Sequence, residues 1–282
     1  MELSLEFFPP KSAEAQDHLG ETVRRLSEAV GPRYGSVTYG AGGSTREGTL
    51  ATVAQLQPLL PSVVPHVSCI GASQSDMQLL LEGYRSKGIH KVVALRGDLP
   101  SGYGQSGGFA HAIDLVRFIR DRFGDDFEIE VAAYPEIHPQ ARSAQDDLRC
   151  FVEKVKAGAT GAITQYFYNT DAYFRFVDDV HALGVDIPIV PGIMPITNHG
   201  QLARFSDASG AEIPRWIRQR LIGYGDDMAS IRAFGQSVVT DLVDQLMTAG
   251  VPGLHFFTMN RAEPTLAITQ ALHLDGRTHP LQ

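Results

Sequence analysis

Short apolar segments rich in β-branched and aromatic residues recur along the chain, each bounded by glycine, proline or polar turn residues. Between them lie longer segments in which apolar and polar positions alternate with a helical period. We predict that each of the eight short segments is a β-strand. Their predicted bounds are 3–8, 36–39, 64–70, 91–95, 128–134, 161–168, 187–193 and 253–258.

The longer segments have the pattern of helices that cover a sheet with one apolar face. In residues 76–87 the apolar side chains recur at spacings of three and four, which places them on one face of a helix. Residues 112–123 and 146–157 repeat the pattern. The apolar face of the first helix consists of Met77, Leu80, Leu81 and Tyr84.

Strand and helix alternate eight times, and the predicted strands are too apolar to have one face in water. This combination indicates parallel strands that are covered on both sides. We therefore predict an α/β fold, a (β/α)8 TIM barrel with an extra helix before the eighth strand, because residues 213–220 and 226–249 both have helical patterns. The alternative is a doubly wound open sheet, which predicts fewer strands and a marked switch point. No linker is visible, so residues 1–282 are expected to form a single catalytic barrel domain.

Composition and charge narrow the class of protein. The 282 residues include 24 Lys and Arg against 32 Asp and Glu, a net charge of −8, and the basic residues form no cluster of the kind that nucleic acid requires. No apolar stretch approaches the roughly 18 residues of a spanning helix, and no export signal is visible. Cys69 and Cys150 are too few for a disulfide scaffold. We expect a cytoplasmic protein that binds neither nucleic acid nor membrane and acts on a small molecule.

In a barrel of this class, the active site lies where the strands end and the following loops begin. Glu6 follows Leu5 at the end of the first predicted strand and is flanked by Phe7 and Phe8. Burial among aromatic rings favours the protonated carboxyl group, which suits a proton donor; the alternative is a strand-end Glu that faces solvent. The other polar candidates at strand ends are Thr38, Tyr39, His66, Arg96, Asp98, Tyr134, Glu136, His138, Gln165, Asn198, His199 and Arg261.

Several of these candidates have an ordinary structural interpretation as well. Asp98 follows Gly97, where a ligand can approach the backbone and a carboxylate can accept from a ring N–H, but it can equally form a surface pair with Arg96. His66 in an apolar strand is typical of a hydrogen-bonded core residue. Asp147 and Lys154 share one helix face and fit a phosphate or ribose, with solvation as the alternative.

Two glycine-rich segments, 40–45 and 102–107, follow predicted strands. The second contains a literal GxGxxG pattern, but it lacks the compact strand–turn–helix spacing of a dinucleotide-binding unit, and neither segment is a P-loop. We interpret both as loops between a strand and a helix. Histidine and cysteine spacings give no support for a metal site, so none is predicted.

Taken together, the strand-end motifs resemble the methylenetetrahydrofolate reductase family, in its short bacterial form. The resemblance extends from residue 3 to about residue 263, in order and with small gaps. The motifs are Leu-Glu-Phe-Phe-Pro-Pro (5–10), Ser-Val-Thr-Tyr-Gly-Ala (36–41), Pro-His-Val-Ser-Cys-Ile (65–70), Ala-Leu-Arg-Gly-Asp-Leu-Pro (94–100), Ala-Ala-Tyr-Pro-Glu-Ile-His-Pro (132–139), Ala-Ile-Thr-Gln-Tyr-Phe (162–167), Pro-Gly-Ile-Met-Pro (191–195) and His-Phe-Phe-Thr-Met-Asn-Arg (255–261).

The resemblance implies a flavoenzyme that uses FAD and NADH or NADPH to interconvert 5,10-methylenetetrahydrofolate and 5-methyltetrahydrofolate in one-carbon and methionine metabolism. It implies that Glu6 is the general acid, that Asp98 supports catalysis beside flavin and pterin, and that Gln165, His199 and Arg261 bind substrate. We also expect a homo-oligomer that binds tetrahydrofolate derivatives. By the same resemblance, FAD is lined by Thr38, Tyr39, Ala41, His66, Arg96, Gly97, Asp98, Phe109, Ala110, Tyr134, His138, Ala141, Asp147 and Lys154.

Three positions depart from the family pattern. His199 stands where the bacterial pattern commonly has Phe, which puts the usual NADH affinity in question, and Cys150 and Glu153 stand where Asn and Arg are usual. The first departure raises the alternative of an enzyme that works mainly as a 5-methyltetrahydrofolate oxidase. Alternatives of a different class are a pterin-binding methyltransferase barrel and a non-catalytic folate- or flavin-binding protein.

Overall fold

The computed structural model describes residues 1–39, 46–97 and 107–274. Nine parallel strands form one sheet, and helices follow them along the chain. The strands are β1 Glu2–Phe7, β2 Tyr34–Val37, β3 Val63–Ser68, β4 Lys91–Leu95, β5 Glu128–Ala133, β6 Gly161–Thr164, β7 Ile189–Val190, β8 Gly192–Ile193 and β9 Gly253–Phe257. The helices in these described ranges are α1 Ala13–Val30, α2 Arg46–Leu56, α3 Gln74–Ser86, α4 Ala112–Phe123, α5 Ala144–Lys156, α6 Thr170–Ala182, α7 His199–Ser209, α8 Arg215–Tyr224, α9 Met228–Thr248 and α10 Ala262–Ala271.

The strand order is β7-β6-β5-β4-β3-β2-β1-β9-β8, so the two ends of the sheet are the consecutive short strands β7 and β8. They are separated by Pro191, which has no N–H to donate to a strand ladder. Its carbonyl accepts from His255 N at 3.0 Å. Residues 189–193 therefore act as one interrupted strand that joins β6 to β9, and the predicted (β/α)8 barrel is confirmed.

Most predicted elements lie within two residues of the observed ones. The predicted strand 161–168 is too long, because β6 ends at Thr164. Between β8 and β9 the two predicted helices are present as α8 and α9, and α7 precedes them. Gly210 ends α7 in the left-handed region with φ 76°, and Asp227 starts α9 by accepting from the backbone of Ala229 and Ser230. These local stop and start signals divide the segment.

Alternation along each strand gives the barrel two buried layers. On β1, Leu3, Leu5 and Phe7 point outward into the core between the sheet and the helices. Ser4 and Glu6 point inward. The apolar part of the interior is small, and it consists of Tyr34, Val64, Val93 and Ile163, with Leu95 and Phe257 packed against them. Polar side chains fill the rest of the barrel.

Candidate active site

Glu6 lies near the carboxyl end of β1 on the inner face of the barrel. Its side chain is 18% exposed, so the alternative of a Glu that simply faces solvent is wrong. Two imidazole rings from other strands lie beside it. The Oε2 atom of Glu6 is 3.4 Å from Nε2 of His66 on β3 and 3.5 Å from Nε2 of His255 on β9.

His66 is buried in the barrel, as its sequence context predicts, but one polar atom of its ring lacks a hydrogen bond within the part of the chain that the structure describes. Among the described residues its Nε2 atom has no hydrogen-bond partner, although it lies close to Glu6. Burial lowers the pKa of His66, against the opposing effect of the Glu6 carboxylate. The ring is therefore uncharged near neutral pH, with one polar atom free for a further contact.

The loop after β9 is held in strained backbone geometry beside Glu6. Met259 and Asn260 have φ values of 53° and 54°, in the left-handed region that side chains disfavour. Hydrogen bonds fix this loop to β1: Asn260 Oδ1 accepts from Phe8 N at 3.0 Å, and Thr258 Oγ1 donates to the Glu6 carbonyl at 2.6 Å. These hydrogen bonds hold the start of α10, where Arg261 lies, relative to Glu6 despite the strained backbone.

Arg261 opens onto a cleft of about 410 Å³ between α9, α10 and the loop that follows β8. Arg232 of α9 lines the same cleft. Within the part of the chain that the structure describes, neither guanidinium group is in an ion pair. The carboxylate of Glu263 also lines the cleft, where it pairs with Arg25 and lies in the field of Arg261. Among its described lining residues the cleft therefore has two guanidinium groups against one carboxylate, and it favours an anionic ligand.

Several of the residues predicted to line a cofactor lie at the ends of β2, β3 and β4. Thr38 is buried, and its Oγ1 atom has no hydrogen-bond partner among the described residues. Gly97 has a φ of +89°, and a Cβ there would overlap the Ser68 hydroxyl group. Arg96 projects from the same strand end and donates to Gln140 Oε1 at 2.5 Å. Tyr39 is partly buried beside Thr38.

A second group of predicted residues lies between β5 and α5. Asp147 accepts from the His138 backbone at 2.8 Å, and Lys154 Nζ donates to the Ala132 carbonyl at 2.6 Å. Burial lowers the pKa of Lys154 to about 8, while nearby Asp147 opposes this shift. The expected alternative of a solvated pair is therefore wrong. The Tyr134 and His138 rings meet edge to face at 4.5 Å, and Ala141 N donates to the His138 carbonyl.

The remaining predicted positions are more scattered. Phe109 packs edge to face on Phe118 of α4 at 5.3 Å, and exposed Ala110 donates its N–H to Asp114. Gln165 follows β6, and His199 begins α7; both are partly buried. Glu136 accepts from the Glu212 backbone at 2.6 Å, which ties two loops together. Asn198 is the N-cap of α7. Cys150 and Glu153 are exposed on α5.

Two predicted site residues, Asp98 and Ala41, lie outside the described residues, in the segments 98–106 and 40–45.

A connected group of five polar residues inside the barrel escaped the prediction, which considered only strand ends. They continue from Glu6 toward the opposite end of the barrel and are connected by short contacts. The available signal was polar residues at alternate positions of strands that are otherwise apolar. These residues are Ser4, Tyr34, Lys91, Glu130 and His255.

Within residues 1–39, 46–97 and 107–274, no three Asp, Glu, His or Cys side chains are grouped as metal ligands. The described helices include none that is both long and apolar enough to span a membrane.

A largely buried carboxyl group near the carboxyl end of β1, with two imidazoles beside it on the inner face of the barrel, is typical of an enzyme of the (β/α)8 class. The family model described as methylenetetrahydrofolate reductase matches residues 1–273. The chain is 40% identical over 271 residues to the 5,10-methylenetetrahydrofolate reductase of Escherichia coli strain K12, which covers 96% of this chain and 90% of that protein. The chain belongs to the methylenetetrahydrofolate reductase family, and it is an oxidoreductase of folate one-carbon metabolism.

Relatives from other organisms have similar identities. The Salmonella typhimurium 5,10-methylenetetrahydrofolate reductase is 39% identical over 271 residues, with 96% of this chain and 90% of that protein covered. The Arabidopsis thaliana protein named methylenetetrahydrofolate reductase (NADH) 1 is 37% identical over 285 residues. That match covers 96% of this chain and 48% of the plant protein. The chain therefore spans about half of the plant relative and most of the bacterial ones.

Solved structures with low identity share the fold. One is described as an uncharacterized protein from Clostridium thermocellum that binds two copies of 5-methyl-5,6,7,8-tetrahydrofolic acid. Its TM-score is 0.67 at 17% identity, with 96% of this chain and 93% of that one covered. An oxaloacetate acetylhydrolase in complex with oxalate has a TM-score of 0.55 at 11% identity, with coverages of 96% and 78%. These similarities show the barrel fold.

Proposed function

We propose that this enzyme reduces 5,10-methylenetetrahydrofolate to 5-methyltetrahydrofolate with NADH or NADPH as the electron donor and FAD as the bound cofactor. The overall reaction consumes one hydride and one proton. The proposal treats residues 1–282 as one catalytic domain of a cytoplasmic homo-oligomer. The observation that carries it is the position of Glu6, a largely buried carboxyl group at the carboxyl end of β1, within a chain of the reductase family.

Glu6 would supply the proton. Opening the five-membered ring of the folate substrate requires protonation of the nitrogen that leaves the bridging carbon, and the product is a 5-iminium cation that accepts hydride. A carboxyl group in the barrel mouth is suited to this transfer, because it is partly shielded from water and fixed by its strand. Asp98 lies outside the described residues, and its proposed electrostatic support of the cation rests on the family resemblance.

The strand ends fit a flavin. The Thr38 hydroxyl and the Nε2 atom of His66, which have no hydrogen-bond partner among the described residues, are polar groups that a flat, hydrogen-bonding ring system satisfies. A bound FAD would carry the hydride from the nicotinamide to the folate. Tyr39, Phe109, Ala110, Tyr134 and Ala141 would complete its lining.

Charged groups near β5 and α5 fit the remainder of FAD. The ammonium group of Lys154 and the guanidinium group of Arg96 would hold the phosphates, and Asp147 would accept from a ribose hydroxyl group. The His138 backbone is held by Asp147 at 2.8 Å and lies beside this group. Cys150 and Glu153 on the exposed side of α5 bring one acidic group near this region, which favours weaker FAD retention.

The cleft between α9 and α10 fits the other end of the folate substrate. Arg261 and Arg232 line it without an ion-pair partner among the described residues, and the glutamate portion of folate carries carboxylates. We propose that both arginines bind these carboxylates. Gln165 would hydrogen-bond the pterin when folate is bound and the nicotinamide amide when NADH or NADPH is bound.

Substitution of Glu6→Gln tests the proposal. The isosteric amide cannot donate the required proton, so we expect folate turnover to fall by about 10²–10⁴-fold. Reduction of the bound flavin by NADH does not use this proton and should remain close to the wild-type rate. Stopped-flow absorbance at the flavin band measures both half-reactions in one preparation.

Three outcomes would contradict this assignment. Absence of flavin after incubation with FAD excludes the oxidoreductase site and favours a methyltransferase barrel. Flavin without folate turnover favours a binding protein. Equal loss of both half-reactions in Glu6→Gln assigns Glu6 a structural role.

His199 bears on the direction of the reaction. It lies at the first position of α7, where the imidazole offers a smaller stacking surface to a nicotinamide than a phenyl ring. We propose that reduction is the main direction and expect His199→Phe to lower the KM for NADH several-fold. Steady-state rates of NADH oxidation and of 5-methyltetrahydrofolate oxidation decide this point. A much faster second reaction in the wild type would favour the oxidase alternative.

A further inference from the structure

A continuous row of polar side chains crosses the barrel interior beneath Glu6. Ser4 on β1 lies in register with Tyr34 on β2 and with His255 on β9, so the three side chains meet on the inner face. Ser4 Oγ is 2.8 Å from His255 Nδ1, and the other ring nitrogen is 3.5 Å from Glu6 Oε2. His255 is therefore the connection between Glu6 and the deeper groups.

The far end of this row is anchored by an ion pair. Lys91 Nζ is 2.9 Å from Glu130 Oε1, and the Tyr34 hydroxyl group lies 2.8 Å from Glu130 Oε2. Lysine ammonium has no lone pair, and a carboxylate has no proton to donate. Tyr34 therefore donates its proton to Glu130, and its oxygen is left to accept.

The hydroxyl proton of Ser4 also has a defined acceptor. Burial and Glu130 raise the pKa of the Tyr34 phenol well above its usual value, and the Ser4 hydroxyl, which lies beside it in register, lowers that pKa as a donor to the phenol oxygen does. Ser4 Oγ donates to the Leu254 carbonyl at 3.5 Å, and a carbonyl oxygen can only accept. Since the single Ser4 proton is used in this way, its oxygen accepts from His255.

We infer that this row fixes His255 as the Nδ1–H tautomer, so that its Nε2 lone pair faces Glu6 and accepts the proton of the Glu6 carboxyl group. His255 is thus a positioning residue that holds Glu6 in its proton-donating form. No proton crosses the row in this role; each donor keeps its proton and only the direction of the hydrogen bonds is set. The functional meaning rests on the proposed role of Glu6.

The surroundings of Glu6 are consistent with this role. Among the described residues, the titratable groups that face it are His66 from β3 and His255 from β9. Lys91, Glu130 and Tyr34 lie one layer deeper, and they pair with one another. His255 has no exposed surface, so its tautomer is set by protein groups rather than by water.

Nuclear magnetic resonance of the ring nitrogens tests the inference directly. Full-length protein labelled with ¹⁵N-histidine is recorded between pH 6 and 8, and His255→Asn assigns the signals. We expect a protonated Nδ1 and an unprotonated Nε2. In Ser4→Ala the acceptor is lost, and the ring should change to the Nε2–H form. An Nε2–H ring in the wild-type protein overturns the inference.

Ser36→Ala is the matched control. It removes the same hydroxyl group from the inner face of β2, but Ser36 Oγ has no hydrogen-bond partner among the described residues. The tautomer and the activity should stay unchanged. A change in the His255 signals equal to that of Ser4→Ala would assign the effect to general packing of the barrel.

The pH profile of the folate half-reaction supplies the functional test. An Nε2–H ring donates to the ionised carboxylate, so Ser4→Ala should lose about tenfold more rate at pH 8 than at pH 6. Glu130→Gln, whose amide can donate to Tyr34, should give the same change. An equal loss at every pH contradicts the inference. If the wild type lacks folate turnover, the proposed function fails, while the tautomer measurement still decides this inference.

Discussion

Lys154 is a charged side chain that the fold holds against the backbone of β5. Burial lowers its pKa to about 8, whereas the unfolded chain keeps the ordinary value of 10.5. Between these pH values the unfolded state binds more protons, so this residue makes the free energy of unfolding rise with pH. Below pH 8 both states are protonated, and the cost of burying the charge is constant.

Lys154→Met should remove this dependence. We expect the wild type to gain stability relative to the variant between pH 8 and pH 10, with no relative change between pH 6 and pH 7.5. Urea unfolding at fixed pH values measures the difference. Lys156→Met, at an exposed position of the same helix, serves as the control. Parallel pH curves for wild type and Lys154→Met would show that the ammonium is not buried in solution.

At the scale of the element, α9 approaches the barrel through a glycine. A Cβ at Gly235 would overlap the carbonyl oxygen of Ile196 in the loop after β8. Ala favours a helix over Gly by about 1 kcal/mol, but the overlap requires a shift of backbone. Close packing of α9 therefore depends on this position.

Comparison of Gly235→Ala with Gly83→Ala distinguishes the effect of close packing on stability from the effect of helix propensity. Gly83 lies in α3, and a Cβ added there would have no atom within 4 Å, so its substitution should stabilise the protein by about 0.5–1 kcal/mol. Gly235→Ala should destabilise it by about 1–3 kcal/mol. Chemical denaturation of both variants measures the difference. A stabilising Gly235→Ala would show that α9 can move away from Ile196.

At the scale of the whole molecule, the three helices between β8 and β9 could unfold together with the barrel or separately from it. Trp216, the single tryptophan, lies on α8 and meets Phe234 of α9 edge to face at 6.0 Å. Helix α9 in turn buries Leu242, Val243 and Leu246 in the common core. We expect α8 and α9 to unfold together with the barrel.

Two probes of unfolding test this expectation. Tryptophan fluorescence reports on α8, and far-ultraviolet circular dichroism reports on the whole chain, so their transitions should coincide. Phe256→Ala, in the core on β9, should lower the free energy of unfolding by about 3–5 kcal/mol, and both probes should report the same decrease. Separate midpoints would show that the inserted helices unfold independently and would contradict a single domain.

The sequence by itself determined the type and order of the main elements. Apolar runs between turn residues and helical periodicity are local signals, and the parallel barrel follows from their alternation. Because the carboxyl ends of parallel strands share one end of a barrel, Glu6, Thr38 and Arg96 were predicted as neighbours although they are far apart in sequence. The Asp147–Lys154 pair was also visible as one helix face.

Only the tertiary structure decided the polar row inside the barrel and the partners of Glu6. Ser4 and His255 are 251 residues apart, and their contact depends on the register of β1 against β9 and on closure of the sheet. Local patterns specify which side chains point inward but not which ones meet. The physical reason is that hydrogen bonds form between neighbouring strands, whose registers are fixed by packing of the whole barrel rather than by any single segment.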